Sequence, residues 1–308
     1  MNKHLGRLVA DNYLTAHGAT RNRRYTLAVF DEKEFFVPLS EGADEDTVWR
    51  TEVAPLLSGI PNNARRVWQY GFTEMLNNAI DHSSGTWVKV LMSRTAVDCR
   101  VSLIDDGEGI FRKITRELKL DDERHAVLEL AKGKLTTDPK NHTGEGIFFT
   151  SRLFDEFNIL SYRVFFSHDR ATSQDWIQEI RLNADAAGFR GTLVVLELSN
   201  RTTKTLKQVF DEYTTDGDYG FSKTVVPVNL VQYGDEALIS RSQAKRLLTR
   251  FDRFRKVILD FEDVEQIGQA FADEVFRVFV HAHPSVEIVP FNANPEVDAM
   301  IRRARGTT

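Results

Sequence analysis

The sequence predicts an α+β fold in which a larger domain with a mostly antiparallel sheet precedes a smaller domain of alternating strands and helices. Residues 87–92 and 100–104 alternate apolar and polar side chains, as paired strands do, and a short turn separates them. Residues 61–82 have a helical pattern that starts after a proline. Beyond residue 220, apolar strands alternate with helical segments, which is typical of a small α/β domain.

The other elements are predicted from local patterns in chain order. A helix is expected over 44–54, because acidic residues open it and Pro55 ends it. A polar, lysine-rich stretch that we expect to be a loop follows the central strands over 112–143. The further predicted helices cover 147–157, 242–254, 266–281 and 295–303. The further predicted strands cover 23–30, 35–39, 159–166, 176–182, 192–198, 224–231, 256–261 and 286–291.

The composition is that of an ordinary globular protein. Its 308 residues are 42% hydrophobic and 28% charged, and this length suits about two domains. The net charge of −5 gives no overall positive field that would attract nucleic acid. The lone Cys99 excludes an internal disulfide and a zinc site built from several cysteines. Because no apolar run approaches the ~20 residues of a membrane span and no signal core is evident, we expect a cytoplasmic protein without membrane association.

The charge is uneven, and residues 1–30 carry a net charge of +4. Residues 18–27 resemble the wing of a winged-helix DNA-binding domain. Thirty residues are too few for a complete module with a recognition helix. We therefore expect this segment to act as a dimerising strap or a sheet extension, and DNA binding is the weaker alternative.

The helical segment 72–82 carries polar side chains beside an apolar stripe. Glu74, Asn77, Asn78 and Asp81 share one face at spacings of three and four residues. Asparagine is a poor helix former, so two amides between two acids favour a function for this face. The plain alternative is a solvated polar face.

Two glycine-rich turns follow this helix. The strand that includes residues 101–104 ends in Asp105 with Gly107 and Gly109 behind it, where a carboxylate can accept a hydrogen bond from the exocyclic amine of a base. Gly144 and Gly146 precede the next predicted helix, whose N-terminal amides suit a phosphate. Taken singly, each is also compatible with an ordinary turn.

In this order and spacing, the three segments resemble the N, G1 and G2 boxes of the GHKL ATPases, which include gyrase, heat-shock chaperone, histidine kinase and mismatch-repair ATPases. Residues 74–81 match the N box, 105–109 the G1 box and 143–146 the G2 box, and residues 191–195 look like the closing Gly-Thr strand. The resemblance spans roughly residues 60–200 and implies a Bergerat fold, a two-layer sandwich with helices on one face of a mixed, largely antiparallel sheet. The resulting division of the chain is a basic segment 1–30, a GHKL domain 31–200, a linker 201–220 and a second domain 221–308.

The resemblance also implies ATP and Mg²⁺ as cofactors and a role for each matched residue. Asn78 would ligate the metal, and Glu74 would be the general base. Asp105 would bind the amino group of adenine, supported by Thr192. The other implied nucleotide contacts are Asp81, Gly107, Gly109, Thr143, Gly144 and Gly146.

The segment 112–143 would be the ATP lid, with Lys132, Lys134 and Lys140 as candidates to reach the phosphates. His142 replaces the glycine that usually opens the G2 box, and no phosphoacceptor helix of a sensor histidine kinase precedes the N box.

Residues 221–308 resemble a STAS-like domain, the fold of anti-sigma factor antagonists. The residues that carry this resemblance are 256–261 and 264–274. The antagonists are phosphorylated on a serine at the start of the following helix, whereas residues 267–270 here contain no hydroxyl. We therefore expect an interaction or dimerisation module.

The function expected from the sequence is that of a regulator that binds Mg-ATP and hydrolyses it slowly, which makes it an ATPase. Such a protein would control a protein partner, or a second copy, through the N-terminal segment or the STAS-like domain. Two alternatives stay open. One is a Ser/Thr kinase of the anti-sigma factor type, and the other is a non-catalytic, nucleotide-sensing or DNA-associated regulator.

Overall fold

A computed structural model describes residues 2–19, 22–40, 42–136, 143–169, 174–179, 190–215, 220–232 and 237–306. The chain starts with helix α1 (Asn2–Ala10) and an antiparallel hairpin of β1 (Leu14–His17) and β2 (Arg24–Leu27). The amide of Phe30 donates to the carbonyl of Arg94 at 2.7 Å, which joins this unit to the large sheet that follows. The predicted strand 23–30 is thus wrong in its extent, because a break after Leu27 separates β2 from the next strand.

Seven of the described strands form one antiparallel sheet in the order β3-β4-β5-β9-β6-β7-β8. These strands are β3 (Asp31–Pro38), β4 (Trp87–Arg94), β5 (Asp98–Asp105), β6 (Glu156–Ser161), β7 (Val164–Asp169), β8 (Gln174–Glu179) and β9 (Thr192–Ser199). Alternate residues of the central strands are buried, as Val88, Val90 and Met92 show on β4. One face of the sheet therefore packs on a helical layer.

That layer contains α2 (Glu45–Val48), α3 (Asn62–His82), α4 (Ile110–Leu118), α5 (Glu123–Lys132), α6 (Gly146–Leu153) and α7 (Leu206–Glu212). The helix predicted over 44–54 is confirmed as α2 continued by a π-helical turn, Trp49–Val53. The predicted helix 61–82 is confirmed as α3. Gly71 lets α3 approach α6, since a Cβ there would lie 2.2 Å from the ring of Phe154.

Two predictions between residues 112 and 166 are wrong. The stretch 112–143 was expected to be a polar loop, yet it holds most of α4 and all of α5. Asp122 caps the N-terminus of α5 by accepting from the amide of His125. The expected strand 159–166 is a hairpin of β6 and β7, because Tyr162 adopts a φ of 56° and reverses the chain.

A buried ion pair fixes α6 against the edge of the sheet. Arg152 on α6 donates to Asp175 on β8 at 2.9 Å, and the Nδ1 of His168 on β7 lies 2.7 Å from the same carboxylate. Both strands are thereby tied to the helix whose N-terminus forms part of the site described below.

The C-terminal part has a parallel sheet in the order β10-β11-β12, formed by β10 (Lys223–Pro227), β11 (Lys256–Asp260) and β12 (Glu287–Phe291). Its helices are α8 (Arg241–Leu248), α9 (Gln269–Asp273), α10 (Val280–Ala282) and α11 (Pro295–Ala304), and a π-helical segment, Glu274–Phe279, joins α9 to α10. The predicted alternation of strands and helices is confirmed. A single hydrophobic core continues from the large sheet into this part.

Candidate functional site

A cavity of about 300 Å³ opens between α3, the end of β5 and the start of α6. Seven residues predicted from the three motifs and the closing strand line it: Glu74, Asn78, Asp105, Thr143, Gly144, Gly146 and Thr192. Asn77, also on the polar face of α3, lines it as well. Segments up to about 120 residues apart in the chain thus converge on one space.

Asp105 lies at one end of the cavity, at the last position of β5. Its Oδ1 accepts the backbone amides of Gly107 at 2.8 Å and Thr192 at 3.2 Å. Burial raises the pKa of Asp105, and these two hydrogen bonds oppose that effect. Gly191 permits this approach of β9, because a Cβ there would lie 1.8 Å from the carbonyl oxygen of Asp105.

Glu74 lies at the other end, where α6 begins. A Cβ on Gly146 would be only 1.9 Å from the Oε2 of Glu74, so the carboxylate rests directly against the first residue of α6. A carboxylate is stabilised at a helix N-terminus by the helix dipole. Gly144, with a φ of 73°, packs on the backbone of Leu135, whose amide donates to the Gly144 carbonyl at 3.0 Å.

Three predicted residues lie outside the cavity wall. Gly107 packs on the carbonyl of Ser83, where a Cβ would approach to 2.1 Å. Gly109, with a φ of 88°, precedes α4 and packs near the hydroxyl of Ser161. Asp81 is exposed on α3, one turn beyond Asn78. These glycines shape the turn behind Asp105 and do not line the cavity.

Two of the lysines predicted to reach the phosphates bind elsewhere. Lys132 is fully buried and donates to Glu129 at 2.5 Å. Lys134 donates to the carbonyl of Arg253 at 2.9 Å. The prediction is therefore wrong for Lys132, whose ammonium is enclosed by α5 and the C-terminal part of the chain, and it stays a prediction for Lys134, whose charge acts on Glu145 beside the turn before α6. Lys140 and His142 lie outside the described residues.

Lys113 was not predicted from the sequence, and among the described residues it is the one lysine or arginine that lines the cavity. Its ammonium donates to the carbonyl of His82 at 2.7 Å, at the end of α3. The helical phase of α4 could have indicated it, because Phe111 and Ile114 are the buried positions on either side.

The remainder of the wall is apolar. It includes Met75, Ala79, Val88, Leu103, Ile110, Ile114, Leu130, Leu135, Ile147, Phe148, Ile159 and Val194. An apolar slot with a few convergent polar groups is typical of a small-molecule site.

Neither a metal cage nor a membrane span is evident where the chain is described. No group of three or more His, Cys, Asp or Glu side chains there could hold a metal ion. Along the same ranges, every helix is too short or too polar to cross a bilayer.

Comparison with known proteins identifies one region. A family model described as a STAS-like domain of unknown function (DUF4325) matches residues 243–298. The chain therefore contains a C-terminal STAS-like domain, as predicted. No curated protein matches the chain. The GHKL resemblance of the preceding part stays a prediction.

Proposed function

We propose that this chain binds Mg-ATP in the cavity and uses binding and slow hydrolysis to switch conformation or dimerise, thereby controlling a partner through its STAS-like domain. The supporting observation is the convergence of seven residues from separate segments on one cavity of about 300 Å³. That volume lies at the lower end of the range for small-molecule sites. The same proposal includes a Bergerat fold for the larger domain and a cytoplasmic location.

The adenine is assigned to the Asp105 end. The Oδ1 of Asp105 is held by two backbone amides, and its Oδ2 is the acceptor for the exocyclic amine. The hydroxyl of Thr192 accepts the amide of Ile110 at 3.1 Å, which holds β9 beside the start of α4. The apolar side chains of the wall suit the faces of a planar base.

The phosphates are assigned to the Glu74 end, because two features there favour an anion. The eight-residue helix α6 begins at the cavity, and Gly144 and Gly146 leave backbone close to that space. The amide oxygen of Asn78 suits Mg²⁺, which prefers oxygen ligands and takes most of its coordination from phosphates and water.

Bound Mg-ATP would supply the phosphoryl group and the cation that neutralises its charge. The task of Glu74 is then to hold and orient an acceptor O–H and to accept its proton. The contact of its carboxylate with Gly146 supports this task, because the start of α6 is the end of the cavity to which we assign the phosphates. The acceptor is water in an ATPase and a protein hydroxyl in a Ser/Thr kinase, so the carboxylate serves both chemistries.

Substitution of Glu74 tests this assignment. Glu74→Ala should leave the Mg-ATP dissociation constant within about threefold of the original, measured by calorimetry, and lower phosphate release at least about 100-fold, since a general base contributes on the order of 10²–10⁴. The control is Glu287→Ala, which removes a carboxylate on β12 whose side chain is 60% exposed. Unchanged release would contradict the role of Glu74. Transfer of labelled phosphate to a protein would favour the kinase alternative.

The N-terminal unit offers a surface for a partner or a second copy. Several large apolar side chains are exposed there: Leu8, Tyr13, Leu27, Val29 and Phe30. Such clustering favours protein contact over DNA contact. Sedimentation of a Tyr13→Ser, Phe30→Ser variant with and without Mg-ATP tests whether this surface supports dimerisation.

A further inference from the structure

Helix α5 lies between the large sheet and the C-terminal part of the chain. Every residue from His125 to Lys132 is buried. The helix contacts β7 and β8 on one side and β10 on the other. It also reaches the candidate site, because Leu130 lines the cavity, as do Leu135 and Thr136 just beyond the helix. The wall of the cavity is therefore continuous with the interface to the STAS-like domain.

A buried ionic group joins α5 to α8 of that domain. The carboxylate of Glu129 binds the ammonium of Lys132 at 2.5 Å and the guanidinium of Arg250 at 2.9 Å. The side chains of Glu129 and Lys132 are 0% exposed. Lys132 also donates to the carbonyls of Arg246 at 3.3 Å and Thr249 at 3.1 Å, at the end of α8. Lys132 of α5 thus donates to the STAS-like domain, and Arg250 of that domain donates to α5.

Arg250 also binds the backbone that follows α5 and leads to the cavity. Its second terminal nitrogen donates to the carbonyl of Gly133 at 3.0 Å and to that of Lys134. Arg253 donates to the same Lys134 carbonyl at 3.1 Å. Arg250 has a φ of 63°, a left-handed conformation that is uncommon for residues other than glycine. The backbone adopts this conformation at the point where the guanidinium binds four acceptors, namely the carboxylate and the carbonyl of Glu129 and the carbonyls of Gly133 and Lys134.

The peptide bound by Arg250 leads directly to the turn before α6. The residue after Lys134 is Leu135, whose amide donates to the Gly144 carbonyl at 3.0 Å. Gly144 packs so closely on Leu135 that a Cβ would lie 2.4 Å from its carbonyl carbon. The position of residues 133–135 is therefore coupled to that of the turn before α6.

We infer that Arg250 is a positioning residue for the nucleotide site: from the STAS-like domain, it fixes residues 133–135 and, through them, the turn Thr143–Gly146. This inference rests on the proposed nucleotide function. It assigns the STAS-like domain a direct effect on nucleotide affinity. A partner that moves α8 would alter the site without touching it, and nucleotide would alter the partner's affinity by the same factor.

Arg250→Met tests the inference in the 308-residue chain. We expect Mg-ADP affinity, measured by calorimetry, to fall on the order of tenfold, within the range of about 5–150-fold typical of coupled sites. Hydrogen exchange of the 133–136 amides should quicken without nucleotide, because two of their carbonyls lose a donor. Arg250→Lys should restore only part of both effects, since an ammonium is a point charge and cannot present the planar fork of a guanidinium.

The control is Leu259→Ala, which destabilises the core of the STAS-like domain on β11 away from α5. It should leave affinity and exchange at 133–136 unchanged while the protein is folded. Equal effects in Leu259→Ala and Arg250→Met would reduce Arg250 to a structural role and overturn the inference. Arg253→Met changes an exposed residue, and its effect should be smaller and in the same direction.

The outcomes separate the inference from the proposed function. Nucleotide binding that is unchanged in Arg250→Met overturns the inference and leaves the proposed function standing. Absence of Mg-ADP binding by the unmodified chain overturns both. Unchanged exchange at 133–136 in Arg250→Met overturns the inference whatever the nucleotide result.

Discussion

Removal of the Glu129 carboxylate should destabilise the protein more than removal of Lys132, one of the two cations that the carboxylate binds. Glu129→Gln leaves the ammonium of Lys132 buried with two carbonyl acceptors and without its counter-ion. Loss of one partner of a buried pair costs about 3–5 kcal/mol. Lys132→Met is milder, because Glu129 keeps Arg250 at 2.9 Å, and we expect a loss of about 1–3 kcal/mol from unsatisfied acceptors.

The assay is urea unfolding at pH 7, in which the midpoint and the slope of each variant are compared. The control is Lys207→Met, since Lys207 pairs with Asp211 on the surface and its side chain is 83% exposed, so its loss should cost less than about 0.5 kcal/mol. An unfolding free energy of Glu129→Gln within about 1 kcal/mol of that of the unmodified chain would show that the carboxylate is not needed to stabilise the buried cations. A greater loss for Lys132→Met than for Glu129→Gln would also contradict the prediction.

Two further predictions concern the loss of stability at acidic pH and the first residue of α6. Burial alone would raise the pKa of Glu129, but Lys132, with help from His125 and Arg250, holds it at about 2, below the ordinary 4.5. This pKa difference contributes roughly 3 kcal/mol of stability, which is present above pH 4.5 and is lost as the pH falls toward 2. The unfolding free energy of Glu129→Gln should therefore decline less over that pH range than that of the unmodified chain. Parallel plots of unfolding free energy against pH would contradict this. Gly146→Ala should lower ATP turnover about tenfold or more, because the added Cβ would meet Glu74 at 1.9 Å, whereas Gly6→Ala, with no atom within 4 Å, should leave turnover unchanged. Equal turnover in the two alanine variants would argue against the contact with Glu74.

The sequence was sufficient to predict the helix α3, the antiparallel core of the sheet and the STAS-like domain, because each has a clear local pattern. The polar face of α3 and the two glycine-rich turns were also sufficient to predict residues that line one cavity. Glycines that allow close backbone approach, such as Gly144 and Gly146, can be recognised in the sequence as a glycine-rich turn.

Helix α5 could not be recognised, because its buried face includes charges. Glu129 and Lys132 read as solvent-facing side chains, but they bind each other, Lys132 donates to two carbonyls at the end of α8, and the guanidinium of Arg250 pairs with Glu129. This pairing joins residues 121 positions apart, so no local window contains it. The turn at Tyr162 was missed for a related reason, since a left-handed φ of 56° in a residue other than glycine gives no signal in the sequence.

Whether the cavity binds nucleotide through Asp105 is decided by calorimetric titration of the 308-residue chain and of its Asp105→Asn variant with Mg-ADP. We expect the unmodified chain to bind Mg-ADP at one site. In Asp105→Asn the amide would present an N–H where the carboxylate offers an acceptor. Affinity should therefore fall about tenfold or more, since a hydrogen bond to a charged group is worth about 1.5–3 kcal/mol. Equal affinity of both proteins, or no heat of binding for the unmodified chain, would contradict this expectation.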